Sequence, residues 1–328
     1  MNAASGEAFW VTGPGQGELR TETLPVPGPD EVRVRSRYSA ISRGTESLVF
    51  HGRVPPSQYA AMRAPFQAGE FPAPVKYGYI SVGDIVAGPG AGQTVFCLHP
   101  HQSEYVVPAT AVVPVPDAVP AERAVLGANM ETAVNAVWDS AAGPGDRIAV
   151  IGAGVVGLLA AWLLRRMPGT EVCVIDPNAE RETICAALGL PWLTPEQAGQ
   201  EAWLQDLDLV LHASGHPDGL RQALRLAGIE ARVVEMSWYG DRTVELPLGE
   251  GFHARRLTLR SSQVGRIPPE RTPRWDYRRR LTLALSLLSE PALDGLITGE
   301  DAFVDLPAVM QRVTGPDAGR TLCHRIRY

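Results

Sequence analysis

The chain has 328 residues, which is more than a single ordinary hydrophobic core accommodates and enough for two domains. Hydrophobic residues make up 45%, charged residues make up 20%, and the net charge is -6, so the composition gives no reason to expect a nucleic acid or an anionic membrane as partner. No segment reaches the roughly 20 consecutive apolar residues of a membrane span. The N-terminus lacks the basic and apolar regions of a signal peptide, so we expect a cytoplasmic protein.

Short β-rich segments separated by Gly and Pro turns fill the first third of the chain, at residues 33–41, 79–88, 94–98 and 103–109. This pattern predicts a barrel-like β domain over residues 1–115. Strand and helix patterns then alternate over residues 116–265, which predicts an α/β fold with a doubly wound parallel sheet. Residues 266–328 contain one amphipathic helix and a mixed end.

A glycine motif lies in the middle of the chain, where the strand-like segment 147–151 leads into three spaced glycines and an apolar helical run. The first glycine permits a tight turn, the second lets the backbone approach a pyrophosphate, and the third lets helix and strand pack closely. The helix N-terminus offers free N–H groups and a positive dipole end to phosphate. The motif therefore predicts cofactor contacts from Gly152, Gly154, Val155, Val156 and Gly157.

Asp176 ends the next strand-like segment and lies 19 residues after Gly157. A carboxylate at this place holds both ribose hydroxyls of NAD and repels the 2′-phosphate of NADP. Arg181 is the nearby cation that could compensate. The sequence therefore predicts NAD and makes NADP the less favoured cofactor. The alternative is a sheet that kept its glycines for packing alone.

Over nearly its full length the chain resembles the medium-chain dehydrogenase/reductase superfamily, in which a GroES-like β-barrel catalytic domain is split around a Rossmann domain. Residues 41–56, which contain Arg43-Gly44-Thr45-Glu46, are similar to a segment of the bacteriochlorophyllide dehydrogenase branch. The resemblance implies an oxidoreductase that transfers hydride between a nicotinamide and a small-molecule alcohol or carbonyl substrate.

The zinc-ligand positions of that superfamily carry other residues in this chain. Zinc alcohol dehydrogenases have Cys-x-Thr/Ser-Asp where residues 43–46 read Arg-Gly-Thr-Glu, and Gly-His-Glu where residues 78–80 read Gly-Tyr-Ile. The third ligand position falls near Ala128, and the four-cysteine structural lobe is missing. Because zinc needs three or four N, S or O ligands, the resemblance implies a member without zinc.

The remaining candidate metal ligands give no strong pattern. The cysteines are scattered without metal-ligand spacing, which favours a reducing compartment; they are Cys97, Cys173, Cys185 and Cys323. His99 and His101 could bind a metal, but two histidines on a loop are more often solvent-facing. We predict no metal site.

Three side chains remain where the resemblance places the substrate. Thr45 occupies the position of a proton-relaying hydroxyl, Arg43 can place a positive charge near the reacting oxygen, and Tyr79 can donate a phenolic proton. We predict all three as catalytic residues, with Thr45 and Tyr79 acting on the substrate oxygen, because zinc relatives bring both loops to one metal. The alternatives are that Thr45 bonds only the cofactor, that Arg43 pairs with Glu46, and that Tyr79 only packs.

The resemblance implies further cofactor contacts. Thr132 matches a threonine that touches nicotinamide in relatives, and Arg181 matches a basic residue beside the adenosine ribose. Ser214 and Gly215 close the fourth strand, where relatives pass the chain under the nicotinamide ribose. Arg320 matches a basic residue that reaches the pyrophosphate. The alternative explanation for Thr132 and Ser214 is conformation and burial.

Two charged features each have two interpretations. Lys76 lies three residues before Tyr79 and could lower the pKa of that phenol, or it could be a solvated loop lysine. The arginine-rich segment 274–280 is typical of a solvated face, although it could attract an acidic substrate. Leucines at helical spacing follow it and predict a buried stripe; they are Leu281, Leu285 and Leu288.

The last strand-like segment of the Rossmann region predicts how the chain assembles. Residues 256–264 resemble the last strand of the Rossmann sheet, which in relatives pairs with its copy across a two-fold axis, so the resemblance implies a homodimer. Two other functions stay open: a zinc-free quinone or enoyl reductase, which usually prefers NADPH, and a non-catalytic nucleotide-binding relative. Asp176 speaks against the first, and Thr45 with the glycine motif speaks against the second.

Overall fold

A computed structural model of the chain describes residues 4–315 and 318–328. The chain divides into two units, one formed by Met1–Ala128 with Leu281–Tyr328 and the other by Asn129–Arg280. Among the described residues, no helix has the length and apolar character needed to cross a lipid bilayer.

The boundaries of these units lie later in the chain than the positions 115/116 and 265/266 predicted from the sequence. Residues just before the first boundary pack on the first unit. Gly127 lies so close to Phe96 that a Cβ added at this glycine would be 2.9 Å from the Phe96 ring. Arg280 belongs to the second unit, since its guanidinium donates to Glu131 at 3.1 Å.

The described residues form the following strands and helices. The strands are β1 (Ser5–Gly13), β2 (Gln16–Thr23), β3 (Glu31–Ile41), β4 (Ala68–Gly69), β5 (Val75–Lys76), β6 (Ser81–Ala87), β7 (Thr94–Cys97), β8 (Glu104–Pro108), β9 (Val112–Pro114), β10 (Arg147–Ile151), β11 (Glu171–Ile175), β12 (Trp192–Leu193), β13 (Leu207–His212), β14 (Ala227–Glu235), β15 (Thr258–Ser261), β16 (Ile297–Ala302) and β17 (Cys323–Arg327). The α-helices are α1 (Arg43–Phe50), α2 (Ala121–Ala124), α3 (Gly127–Ser140), α4 (Val155–Arg165), α5 (Arg181–Ala187), α6 (Pro195–Gln200), α7 (Pro217–Leu226), α8 (Tyr277–Leu287) and α9 (Leu306–Thr314). Shorter 3-10 helices cover Pro56–Gln58, Ala109–Ala111, Ala202–Gln205, Pro291–Leu296, Phe303–Asp305 and Ala318–Arg320.

The first unit is built on β-sheet. One sheet has the strand order β2-β1-β5-β4, and a larger one has the order β16-β17-β3-β6-β7-β9 with β8 paired to β3. Along β3 the side chains of Val32 and Val34 are buried, whereas that of Arg35 is exposed, as expected where one face of a sheet covers a core. This core contains Val32, Val34, Ile85, Val95, Cys97, Tyr105, Val107 and Val112.

The second unit is built on a parallel sheet with the strand order β12-β11-β10-β13-β14-β15. The central strand β10 has four consecutive buried residues, Ile148 to Ile151, because helices cover both faces of such a sheet. Its carboxyl end leads into the glycine turn, and the neighbouring strands β11 and β13 end beside it in parallel register. This edge of the sheet is where ligands bind in open α/β folds.

The leucine stripe of α8 is buried as predicted, at Leu281, Leu285 and Leu288. The expectation of a solvated arginine face is wrong for Arg280, which is buried. Its guanidinium donates to Glu131, to the Asn135 side chain and to the Val264 carbonyl. A guanidinium held by these three acceptors is not free to attract an acidic substrate.

Candidate functional site

The glycine turn of the second unit requires glycine at two places. Gly152 has φ +109°, and a Cβ there would lie 2.6 Å from the Ser214 amide nitrogen. A Cβ at Gly157 would lie 2.0 Å from the Gly152 carbonyl oxygen, so helix α4 packs directly against the turn. A Cβ at Gly154 would meet nothing within 4 Å, which leaves open space in front of the turn.

The N-terminus of α4 faces that open space. The N-cap residue is Gly154, and no side chain in the described residues caps this end. Val155 and Val156, both half-buried, supply first-turn N–H groups that have no intrahelical acceptor. Uncapped N–H groups and the positive end of the helix dipole fit a pyrophosphate.

Asp176 follows β11 and lies against the same turn. Its Oδ2 accepts from the Ala153 N–H at 2.7 Å, and its Oδ1 accepts from the Asn178 N–H at 2.9 Å. Arg181 is buried near this carboxylate: burial lowers its pKa, while the charge of Asp176 opposes that change. The negative charge is therefore fixed at the edge of the open space, whereas the arginine is withdrawn from solvent.

Ser214 and Gly215 follow β13 on the other side of β10. Gly215 has φ +68° and its N–H donates to Ser237 Oγ at 3.0 Å. Ser214 is exposed, and its Oγ lies 2.6 Å from His212 Nε2. His212 Nδ1 in turn lies 2.8 Å from Glu235 Oε2.

The sequence analysis missed His212 and Glu235. The available signal was that each is the last residue of a buried strand, and that neighbouring parallel strands end side by side.

In the first unit, the two hydroxyls that the sequence singled out lie together. The Tyr79 hydroxyl donates to Ser42 Oγ at 2.6 Å, and Thr45 lies close enough to the phenol to influence its pKa. Burial raises the pKa of Tyr79 to about 12; the charge of Glu46 adds to the rise, and the bonds to Ser42 and Thr45 oppose it. Tyr79 therefore keeps its proton at neutral pH and acts as a hydrogen-bond donor.

A second buried network supports this pair of hydroxyls and was also missed. Glu46 Oε1 accepts from the Ser42 N–H at 2.7 Å, and Glu46 Oε2 lies 2.9 Å from His101 Nε2. His101 Nδ1 lies 2.8 Å from Ser39 Oγ, which is 3.1 Å from the Tyr328 hydroxyl. The network fixes the start of α1, where Thr45 lies.

The Arg43 guanidinium bonds to a group other than Glu46, the partner that the sequence suggested as an alternative. Its guanidinium donates to the Ala318 carbonyl, whereas Glu46 bonds to Ser42 and His101.

The resemblance expects zinc ligands at the positions of Arg43, Tyr79 and the buried, apolar Ala128, and these are not the side chains that form zinc sites in proteins. In residues 4–315 and 318–328, no three His, Cys, Asp or Glu side chains are grouped as a metal site requires.

The environment of Lys76 differs from both interpretations of the sequence. Lys76 is buried; its ammonium donates to Glu22 Oε2 at 2.6 Å and to Gln102 Oε1 at 2.9 Å. The expectations that it is solvated or lowers the pKa of Tyr79 are wrong, because the lysine is paired and the phenol pKa is raised.

His99 and His101 are also buried rather than solvent-facing. His99 stacks on Tyr105 with ring centroids 3.7 Å apart, and burial lowers the pKa of His99 to about 3.

Two predicted cofactor contacts lie outside these clusters. Thr132 is half-buried on α3 in the second unit, and Arg320 is exposed at the end of a 3-10 helix in the first unit. Their roles toward a cofactor stay predictions.

Comparison with known proteins gives the same architecture. Residues 150–180 match the family model of an NAD(P)-binding Rossmann-like domain. D-guloside 3-dehydrogenase of Escherichia coli (strain K12) is 23% identical over 297 residues, which cover 83% of this chain and 84% of that protein.

Two solved structures cover essentially the whole chain. A dehydrogenase of the zinc-binding type from Sinorhizobium meliloti 1021, bound to NADP, has a TM-score of 0.79 at 19% identity and covers 99% of this chain and 100% of its own. A short chain alcohol dehydrogenase (rspB) from E. coli CFT073, complexed with NADH, has a TM-score of 0.76 at 19% identity and covers 100% of both chains. The predicted fold, a Rossmann domain with a GroES-like domain as in medium-chain dehydrogenases, is confirmed.

Proposed function

We propose that this chain is an NAD-dependent oxidoreductase of the medium-chain type that transfers hydride between a nicotinamide and an alcohol or carbonyl substrate without zinc. The observation that carries the proposal is the glycine turn with Asp176 at its side, in a chain whose relatives are dehydrogenases. The hydroxyl pair of Thr45 and Tyr79 supplies the acid–base groups.

The second unit fits a dinucleotide. When bound, NAD supplies the hydride acceptor. The open space at Gly154 and the uncapped start of α4 would hold the pyrophosphate, and the Asp176 carboxylate would accept from the ribose hydroxyls of the adenosine half. The same carboxylate repels a 2′-phosphate, which supports NAD over NADP.

The first unit supplies the proton chemistry in this proposal. Oxidation of an alcohol releases a proton along with the hydride, so a hydroxyl or a basic group must receive it. Tyr79, whose pKa is raised to about 12, keeps its proton; when substrate binds, its hydroxyl would turn from Ser42 Oγ to donate to the substrate oxygen. Thr45, beside the same phenol, would accept the substrate proton as its own hydroxyl proton passes to solvent water.

Zinc independence rests on the chemistry of the residues present. A zinc ion would polarise the substrate oxygen, and the side chains at the ligand positions offer a guanidinium, a protonated phenol and a methyl group instead. A phenol that donates a hydrogen bond is a weaker electrophile than zinc but acts on the same oxygen.

The test is a substrate screen on protein treated with a chelator and verified free of zinc by elemental analysis. Alcohols, polyols and sugar derivatives are incubated with NAD, and carbonyl compounds with NADH, while the nicotinamide absorbance is followed. The proposal expects turnover with NAD that zinc does not increase. Turnover that appears only after zinc is added would overturn the zinc-free part. Reduction of quinones or enoyl compounds with NADPH, in the absence of alcohol oxidation, would favour the alternative class.

We also propose a homodimer formed through β15. This strand is at the edge of the six-stranded sheet within the described residues, and an open edge favours pairing with a copy of itself. Light scattering at micromolar concentration should give twice the mass of one chain, whereas a monomer would contradict the proposal.

A further inference from the structure

A buried histidine and a glutamate fix the orientation of the exposed Ser214 hydroxyl. His212 and Glu235 are the last residues of β13 and β14, and they are register partners in the parallel pairing. The imidazole is completely buried, with Nδ1 2.8 Å from Glu235 Oε2 and Nε2 2.6 Å from Ser214 Oγ. Glu235 is itself held by the Ser237 N–H at 2.7 Å and the Tyr239 hydroxyl at 3.0 Å.

These contacts determine which atom donates. A carboxylate only accepts, so when the imidazole carries a single N–H, that hydrogen lies on Nδ1 and faces Glu235. Nε2 is then an acceptor, and Ser214 must donate its hydroxyl hydrogen inward to it. The His216 N–H donates to the same Oγ at 3.1 Å and occupies one lone pair. A single acceptor position of Ser214 remains, on the solvent side.

A hydroxyl with only an acceptor position left selects its ligand. It binds an O–H or N–H donor, and it has no hydrogen to give to a phosphate oxygen. Ser214 lies directly beside the glycine turn, since a Cβ at Gly152 would lie 2.6 Å from the Ser214 amide nitrogen. Asp176 lies at the end of β11, on the opposite side of the central strand β10.

We propose that His212 and Glu235 are positioning residues that set Ser214 as the acceptor for one hydroxyl of the nicotinamide ribose. The inference rests on the proposed function, because it takes the bound molecule to be a nicotinamide dinucleotide. Asp176 then receives the ribose of one nucleotide and Ser214 that of the other, with the pyrophosphate at the glycine turn between them. His212 acts through Ser214 and does not touch the ligand.

The experiment measures equilibrium binding of NADH and of ADP, which lacks the second ribose. Ser214→Ala should weaken NADH binding about three- to tenfold, the usual range for one net hydrogen bond, and leave ADP binding unchanged. His212→Phe should weaken NADH binding by a similar factor. The double variant should bind NADH no more weakly than Ser214→Ala alone, because the histidine acts only through the serine. Thr243→Ala, at an exposed threonine of the same unit, is the matched control.

An NADH analogue without the 2′ or 3′ hydroxyl on the nicotinamide ribose gives a second measurement that needs no histidine variant. One of the two analogues should bind the wild-type protein as weakly as Ser214→Ala binds NADH, with no further loss in the variant. If Ser214→Ala leaves NADH binding unchanged, or weakens ADP binding by the same factor, this inference is overturned and the proposed function stands. A wild-type protein that binds neither dinucleotide would overturn the proposed function and this inference with it.

Discussion

Each unit of the molecule contains a buried histidine paired with a glutamate, and the two pairs differ in what lies beyond the imidazole. His101 bonds to Glu46 through Nε2 and to Ser39 through Nδ1, and all three side chains are buried. His212 bonds to Glu235 through Nδ1 and to Ser214 through Nε2, and Ser214 is exposed.

The same chemistry therefore serves two purposes. In the first unit the hydrogen bonds run from Ser39 through His101 to Glu46, which accepts from the Ser42 N–H. They fix the start of α1, which carries Thr45, and the Tyr79 hydroxyl donates to Ser42 Oγ. In the second unit the chain ends at a serine hydroxyl that has one acceptor position free for a ligand. Of the two pairs, the second ends at the exposed Ser214 hydroxyl, and for this reason we assign it to ligand binding.

The largest expected effect is on turnover and concerns the hydroxyls that the first pair supports. Tyr79→Phe and Thr45→Val should each lower kcat by about 100-fold or more, because a positioned acid or base contributes about 10²–10⁴ in rate. NADH binding should stay unchanged. Steady-state kinetics on the substrate found by the screen provides the measurement.

Tyr77→Phe is the matched control, since Tyr77 packs edge-on against Tyr79 and its hydroxyl bonds to the Met62 carbonyl. If Tyr79→Phe and Thr45→Val both keep near-wild-type kcat, the proton path does not pass through these hydroxyls.

The second prediction separates the two histidine pairs by stability. His101→Asn should lower the free energy of unfolding by about 3 kcal/mol, because the buried Glu46 carboxylate loses the partner of Oε2 and keeps the Ser42 N–H at Oε1. His212→Asn should cost about 1–2 kcal/mol, since Glu235 keeps two other donors, the Ser237 N–H and the Tyr239 hydroxyl.

Urea denaturation of both variants measures the difference. Equal losses, or a larger loss for His212→Asn, would contradict the assignment of the first pair to structure and the second to binding.

The sequence alone predicted those parts of the structure that depend on local pattern. The strand, the spaced glycines and the acid of the nucleotide site follow one another along the chain, so periodicity and spacing identify the Rossmann unit. The buried stripe of α8 is predicted for the same reason. Thr45 and Tyr79 were predicted from a resemblance, and in the structure Thr45 lies close enough to Tyr79 to influence its pKa.

The sequence was insufficient where a side chain finds its partner far along the chain. Lys76 pairs with Glu22, and Arg280 pairs with Glu131, 149 positions away. No local pattern distinguishes such a buried charge from a solvated one, because its environment is set by tertiary packing. The contact between His101 and Glu46 was not predicted for the same reason. The loop that carries His99 and His101 was predicted to face solvent.

The third prediction uses His99, which is buried but has no carboxylate partner among the groups that set its pKa. Its pKa is about 3 in the folded protein, against 6.5 for the free side chain. Between these values the unfolded chain binds a proton that the folded protein does not. Stability should therefore fall as the pH drops below 6.5, by up to about 1.4 kcal/mol per pH unit from this group.

Replacing the group tests that slope. His99→Phe, which keeps the ring stacked on Tyr105, should be less sensitive to acid between about pH 6 and pH 4 than the wild-type protein. His253→Phe, at an exposed histidine, should not change the slope. Urea denaturation as a function of pH is the measurement, and identical slopes for His99→Phe and the wild type would show that His99 is not the titrating group.

The central claim is that the second unit binds NAD through the glycine turn and Asp176, and titration of the chelator-treated protein with NADH and NADPH tests it most directly. NADH should bind at least about fivefold more tightly than NADPH, because a carboxylate next to a 2′-phosphate costs on the order of 1–3 kcal/mol. Asp176→Ala should narrow that ratio of affinities, because it weakens the binding of NADH and strengthens the binding of NADPH. Tighter binding of NADPH by the wild-type protein, or no binding of either dinucleotide, would contradict the account.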